Sequence, residues 1–234
     1  MLSHRDDVAR ELLDANAIDD AVLRRNLRDI RTINGLLGWR ALAVREVARL
    51  VHGRGLGSFS LLDVASGSGD IPLAIARWAA RNALPARIVA TDVSPQIIAV
   101  TRELLAGAPA VHVERADALA LPYPTGAFDV ALCTLALHHF PPESAVTLLT
   151  NLARVGRDVI VFDAARAPAA YGGVWLLTRL LGMDAMTRHD APMSVRRAYT
   201  LPELRDLARA AGLVDARTWE DFPYRLALVA SAAV

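Results

Sequence analysis

Carboxylates and histidines stand in this 234-residue chain at places where chemistry can be built. Asp63 and Asp92 lie in the apolar runs Leu61-Leu62-Asp63-Val64 and Ile88-Val89-Ala90-Thr91-Asp92, and Asp117 follows a third, Val111-His112-Val113-Glu114. A carboxylate in an apolar run is costly unless it meets a polar partner, so each is expected near the carboxyl end of a buried strand. There Asp92 can accept two hydroxyls at once, and Asp117 an amine. Gly67 and Gly69 permit positive φ and close approach of a ligand to backbone, and Asp70 reads as the cap of a following helix. His138 and His139 leave a fourth apolar run, Phe128–Cys133, while His189 has Asp190 beside it. Imidazoles so placed suit proton transfer near neutral pH.

The elements that must hold these groups follow from periodicity. Short apolar runs at about 60–64, 87–92, 111–114, 128–133 and 158–163 alternate with helical stripes, which predicts a parallel sheet. The run at 60–64, the glycine turn and the stripe Ile71, Leu73, Ala74, Ile75 and Trp78 make the strand–turn–helix of an open α/β crevice. Residues 5–52 read as helical throughout, with a break at Ile18-Asp19-Asp20 and an end or kink at Gly35 and Gly38. Residues 1–55 are therefore expected to be a helical lid or a homodimer surface, Arg31 and Asn34 being candidates to reach the ligand. The rest, 56–234, is the core, with a cap at 164–200 whose second half is polar. Strands at about 214–220 and 224–231, linked by Asp221-Phe222-Pro223, are expected to form an antiparallel hairpin on the sheet.

Composition bounds the partners. A net charge of +1 gives no general attraction to nucleic acid, and no apolar run is long enough to span a membrane. Cys133 is the single cysteine, which excludes an intramolecular disulfide and a cysteine zinc cluster. The opening Met-Leu-Ser-His-Arg-Asp-Asp lacks a signal-peptide apolar region, so the expected compartment is the cytoplasm.

A dinucleotide fits the crevice poorly. Pro72 occupies the place of the third small residue of that fingerprint, and Asp70 competes for the helix amides that a pyrophosphate needs. S-adenosylmethionine carries no phosphate, and its sulfonium and ammonium groups welcome carboxylates. With Asp92 for the ribose and Asp117 for the adenine amine, residues 57–234 resemble the class I S-adenosylmethionine-dependent methyltransferases. The resemblance rests on Leu62-Asp63-Val64-Ala65-Ser66-Gly67-Ser68-Gly69-Asp70, Thr91-Asp92-Val93-Ser94, Ala116-Asp117-Ala118 and Leu137-His138-His139-Phe140. It points particularly to the group acting on ubiquinone and menaquinone precursors. The helical N-terminus and Arg188–Arg197 are similar to methyltransferases of bacterial aromatic polyketide pathways.

The resemblance implies a seven-stranded Rossmann-like α/β sheet and cofactor contacts from Asp63, Ala65, Gly67, Asp92, Val93, Asp117, Ala118 and Thr134. Ala65 stands where many relatives carry glycine, which implies that this position need not adopt positive φ. The expected reaction is methylation of a small aromatic phenol or quinol, at oxygen with a histidine base; carbon methylation of a quinol or polyketide is the alternative. His139, His189 and His138 are the candidate bases, in that order. Val174, Trp175, Leu176 and Leu180 are candidates for an apolar acceptor pocket, with Arg196 or Arg197 as its polar contact. No metal is expected, Asp184 and Asp190 being the only acid pair to weigh. A nicotinamide-dependent oxidoreductase and a non-catalytic ligand sensor are the rival readings.

Overall fold

The computed structural model describes residues 2–15, 17–107 and 110–231. Seven strands form one sheet: β1 (Phe59–Val64), β2 (Ala86–Asp92), β3 (Val111–Arg115), β4 (Phe128–Thr134), β5 (Gly156–Ala164), β6 (Arg217–Asp221) and β7 (Arg225–Ser231). Their order is β3-β2-β1-β4-β5-β7-β6. The first five strands are parallel, and β7 runs antiparallel to both β5 and β6. The order in which the chain lays down its parallel strands reverses between β1 and β4, so the crevice beyond their carboxyl ends is the place for a ligand.

Both faces are covered, which is why the central strands read as unbroken apolar runs. On one face α5 (Pro142–Val155) and α8 (Leu201–Ala210) bury Leu148, Leu152, Leu204 and Leu207 against Leu62, Val159 and Leu228. On the other, α2 (Trp39–Gly53) and α3 (Asp70–Arg81) bury Trp39, Val47, Ile71 and Ile75 against Leu61, Ile88 and Ile160. Thus α2 belongs to the layer on the sheet. What precedes it gathers elsewhere: α1 (Asp20–Leu36) packs Leu23 and Leu27 on Ile97 and Val100 of α4 (Pro95–Leu104).

The expectation of continuous helix from residue 5 fails before α1. A single 3-10 turn, Leu12–Asp14, interrupts a stretch with no other helix between residues 2 and 15. Its backbone donors are satisfied by a distant side chain instead, since Asp190 accepts from Leu12 N at 2.8 Å and Leu13 N at 3.0 Å. The cap, by contrast, is more regular than its polarity suggests. It folds as α6 (Pro168–Leu180) and α7 (Ala185–Arg197), with the Asp184 side chain accepting from Met186 N to start the second.

The turn after β1 corrects two expectations. Ala65 does adopt the left-handed region, at φ 55°, as do Gly67 at 52° and Gly69 at 68°. The geometry of the turn sets this value whatever side chain stands there. Because a Cβ in that region costs roughly 1–2 kcal/mol, Ala65→Gly is expected to stabilise the protein by about 1 kcal/mol. Denaturant melts of the ligand-free protein should show a raised midpoint at unchanged slope. Asp70 is not the helix cap either: Gly69 holds that position and Asp70 is the first helical residue. A Cβ on Gly69 would lie 2.8 Å from both Leu105 Cδ1 and Thr101 Cγ2, so no larger residue fits.

Candidate active site

Three carboxylates surround the turn. Asp63, at the end of β1, is buried; Oδ2 accepts from Ser66 Oγ at 2.5 Å, and Oδ1 has no hydrogen-bond partner among the described residues. Burial, reinforced by the negative charges of Asp70 and Asp92, pushes its carboxyl up to about 7. Asp92, at the end of β2, accepts from Gly67 N at 3.2 Å and Ser94 N at 3.0 Å. Burial holds it above the ordinary carboxylate range too. Asp70 accepts from Asn34 Nδ2 at 3.0 Å and Ser68 Oγ at 2.8 Å, with Arg40 Nε 3.8 Å away. Burial raises it, against the pull of those partners.

A cation bound before these carboxylates would relieve the penalty of burial that each of them carries. The space before them is open: a Cβ built on Gly67 would meet no atom within 4 Å. On the neighbouring strand, Thr134 Oγ1 is also buried without a partner among the described residues. Asp63 and Thr134 thus offer polar atoms that no other described residue uses. Asp117 follows β3 at the surface, where Oδ1 accepts from Leu119 N at 2.9 Å, and Ala118 beside it is buried. Val93 is exposed next to Asp92. The sheet order therefore brings the ends of β1, β2, β3 and β4 to one edge, in the sequence β3-β2-β1-β4.

Residues expected of the N-terminal segment do reach this edge. Asn34 binds Asp70, and Arg31 Nη1 donates to Ser68 O at 3.4 Å. Both bonds fix α1 to the glycine turn.

The resemblance is matched by comparison with known proteins. The profile of the methyltransferase domain family matches residues 61–158. A demethylmenaquinone methyltransferase of Deinococcus radiodurans is 31% identical over 172 residues, covering 71% of this chain and 66% of that one. The chain belongs to the class I S-adenosylmethionine-dependent methyltransferases.

Its cofactor is S-adenosylmethionine. Among solved structures, a methyltransferase from Aquifex aeolicus has the same fold at a TM-score of 0.59 and 15% identity, covering 93% of this chain and 100% of that one. Human N-acetylserotonin methyltransferase, solved with S-adenosylmethionine, gives 0.66 at 14% identity, over 92% of this chain and 57% of that one. The chain spans from about half to about two thirds of the length of the curated relatives it matches.

The histidines divide sharply once their surroundings are known. His138 is buried, with Nδ1 donating to Asp163 Oδ1 at 2.7 Å and Nε2 3.4 Å from Glu11 Oε1. The two carboxylates outweigh burial and push its imidazole up to about 10. A ring held protonated at neutral pH and closed off from solvent is no general base, so His138 leaves the list of candidates. His139 is less enclosed. Its Nδ1 lies 3.0 Å from Asp14 Oδ1 and its Nε2 3.8 Å from Glu11 Oε2. It lies in the turn Leu137–His139 that follows β4, at the edge where the ends of β2, β1 and β4 lie side by side. His189 is exposed, with Nδ1 2.8 Å from Asp190 Oδ1.

The arginines of the cap are committed elsewhere. Arg196 pairs with Asp6 at 2.5 Å, and Arg197 pairs with Asp14 at 2.9 Å while donating to His139 O. Neither is free to meet an acceptor, which corrects that expectation. Residues not singled out in the sequence complete this corner: Glu11, Asp14 and Asp163. Asp163 carried a usable signal, an acid ending a fifth apolar run. Glu11 and Asp14 carried none, since the helical reading of their segment fails and a single 3-10 turn places them.

Among the described residues, no helix is long and apolar enough to cross a membrane. Trp175, Leu176 and Leu180 of α6 are exposed, and Arg179 stacks 4.0 Å over the Trp175 ring.

Proposed function

We propose that this protein transfers a methyl group from S-adenosylmethionine to a small aromatic acceptor bearing a phenolic or quinol hydroxyl. The observation that carries the reading is the pairing of His139 with Asp14 in the turn after β4, the strand next to β1 and its carboxylate. Asp92 would accept the ribose hydroxyls, Asp117 and Ala118 would meet the adenine, and Gly67 would admit the methionine portion, with Asp63 and Thr134 facing its polar groups. Bound there, the cofactor supplies an electrophilic methyl on a sulfonium whose departure needs no acid.

The chain's own task is then the acceptor's proton. A phenol titrates near 10, as tyrosine does, and is mostly protonated at neutral pH. Asp14 would accept a hydrogen bond from the His139 Nδ1–H and so keep the lone pair on Nε2, where it can take the hydroxyl proton. The 3-10 turn Leu12–Asp14, α1 and α7 would cover this exchange, and α6, packed on α7, would offer apolar surface through Trp175, Leu176 and Leu180.

Transfer to oxygen follows most directly, because the group that loses the proton is the one that attacks. Carbon methylation of a quinol is the second reading, and one observation favours it: the relative from Deinococcus radiodurans is a demethylmenaquinone methyltransferase. The same base serves both, since ionising a quinol also enriches its ring carbons. Incubating the protein with carbon-13 methyl-labelled cofactor and a panel of phenols, hydroquinones, amines and carboxylates decides the class. Labelled O-methyl or C-methyl aromatic products are expected. Preferential labelling of amines, or of nucleic acid, would refute the proposal.

A further inference from the structure

His138 and His139 are oriented in a way that one proton acceptor does not require. Each ring presents Nδ1 to its own carboxylate, Asp163 at 2.7 Å and Asp14 at 3.0 Å. Each presents Nε2 to the same third residue, Glu11, at 3.4 Å and 3.8 Å. The ligand atoms of Glu11, His138 and His139 all lie within 4.8 Å of one another. The Nε2 atom of His138 is fully buried, yet it makes no hydrogen bond among the described residues, and Glu11 is itself buried.

We propose that Glu11, His138 and His139 form a binding site for a divalent transition-metal ion such as zinc, with Asp163 and Asp14 as its positioning residues. Two imidazoles and one carboxylate are a common ligand set for such ions, and leave further positions open. Carboxylates on the far ring nitrogens are the usual supports of metal-binding histidines, because they fix the tautomer that points a lone pair at the ion; on His138 the ion would replace the Nε2 proton that faces Glu11. The spacing agrees. Ligands held at about 2.0–2.1 Å in a tetrahedron stand about 3.3–3.4 Å apart, the separation seen between His138 Nε2 and Glu11 Oε1. His139 is a few tenths of an ångström further out and is the ligand with room to move.

The surrounding charge is arranged for a cation. Glu11, Asp14, Asp163 and Asp190 gather here, opposed by Arg197, which lies 3.9 Å from Glu11 but is paired with Asp14 at 2.9 Å, and by Arg5. Ser194 Oγ donates to Glu11 Oε1 at 3.0 Å, which fixes that carboxylate further. A metal here would tie the N-terminal segment at Glu11 to the turn after β4. It would also occupy the His139 lone pair, so the loaded form would lose its base. This departs from the expectation of a protein without a metal, and it uses neither Asp184 nor Asp190 as ligands.

The test uses tag-free, full-length protein stripped with a chelator, without cofactor or acceptor, so that its outcome is independent of the methyl-transfer reading. Titration with zinc in a calorimeter is expected to show one equivalent bound. Titration with cobalt is expected to give the visible absorption of a tetrahedral or five-coordinate ion. His139→Gln and Glu11→Gln are each expected to weaken binding at least tenfold, and Asp14→Asn by roughly 10–100-fold. His189→Gln, which alters a histidine outside the cluster, should bind as the parent does. Absence of a stoichiometric site, unchanged binding in both ligand variants, or an equal loss in His189→Gln would overturn the proposal.

Discussion

Asp92→Ala is expected to weaken binding of S-adenosylhomocysteine by roughly 10²–10⁴-fold, because two hydrogen bonds from a charged acceptor are worth about 1.5–3 kcal/mol each. The loss should fall on binding and not on folding. In the free protein the Asp92 carboxylate is held under the penalty of burial, which two backbone donors only partly offset. Removing it relieves that penalty while freeing Gly67 N and Ser94 N. The melting temperature of the ligand-free variant should therefore stay within a few degrees of the parent's. Asp92→Asn keeps one acceptor oxygen and should fall between the two. If Asp92→Ala binds the nucleoside normally, the ribose lies elsewhere.

His139→Ala should lower the rate of methyl transfer to a phenolic acceptor by roughly 10²–10⁴-fold at neutral pH, the range of a well-placed general base. The signature is in the pH profile. A base matters only while the acceptor holds its proton, so parent and variant rates should converge as pH rises toward the phenol's own pKa of about 10. Affinity for S-adenosylhomocysteine should change little, which separates the loss of a base from the loss of the site. His189→Ala serves as the comparison: its ring is exposed and oriented by Asp190 from α7. If His139→Ala retains the parental rate and profile and His189→Ala does not, the base is in the cap. If both retain them, no histidine takes the proton.

How far the sequence revealed this site follows from the kind of signal each residue leaves. Asp63 and Asp92 were expected at the ends of buried strands because an acid in an apolar run is costly, and they stand there, whereas Asp117 follows β3 at the surface. The glycine turn was legible for its freedom of φ. The left-handed φ of Ala65 was not, because the turn imposes it on a residue that does not advertise it. Asp70 looked like a helix cap from its place before Ile71, yet Gly69 takes that role and Asp70 instead anchors α1 through Asn34. Such a partner, across 36 positions of chain, leaves no local trace.

The histidines show the same limit from the other side. Adjacent in sequence and alike in type, His138 and His139 differ because Asp163 and Glu11 enclose one, while Asp14 leaves the other partly open. Glu11 and Asp14 flank and end the 3-10 turn Leu12–Asp14, which the helical reading of residues 5–52 did not foresee. The second half of the cap was read as polar, and many of those polar groups, Asp190, Arg196 and Arg197 among them, are engaged with the N-terminal segment. Its helices are held by ion pairs and capping as much as by apolar burial, which periodicity does not detect.

The most direct test of the central claim is a calorimetric titration of the ligand-free protein with S-adenosylhomocysteine and, separately, with NADH. A single site for the nucleoside thioether, abolished or greatly weakened in Asp92→Ala, with no heat from NADH, is the expected result. Binding of NADH with none of the thioether would contradict it.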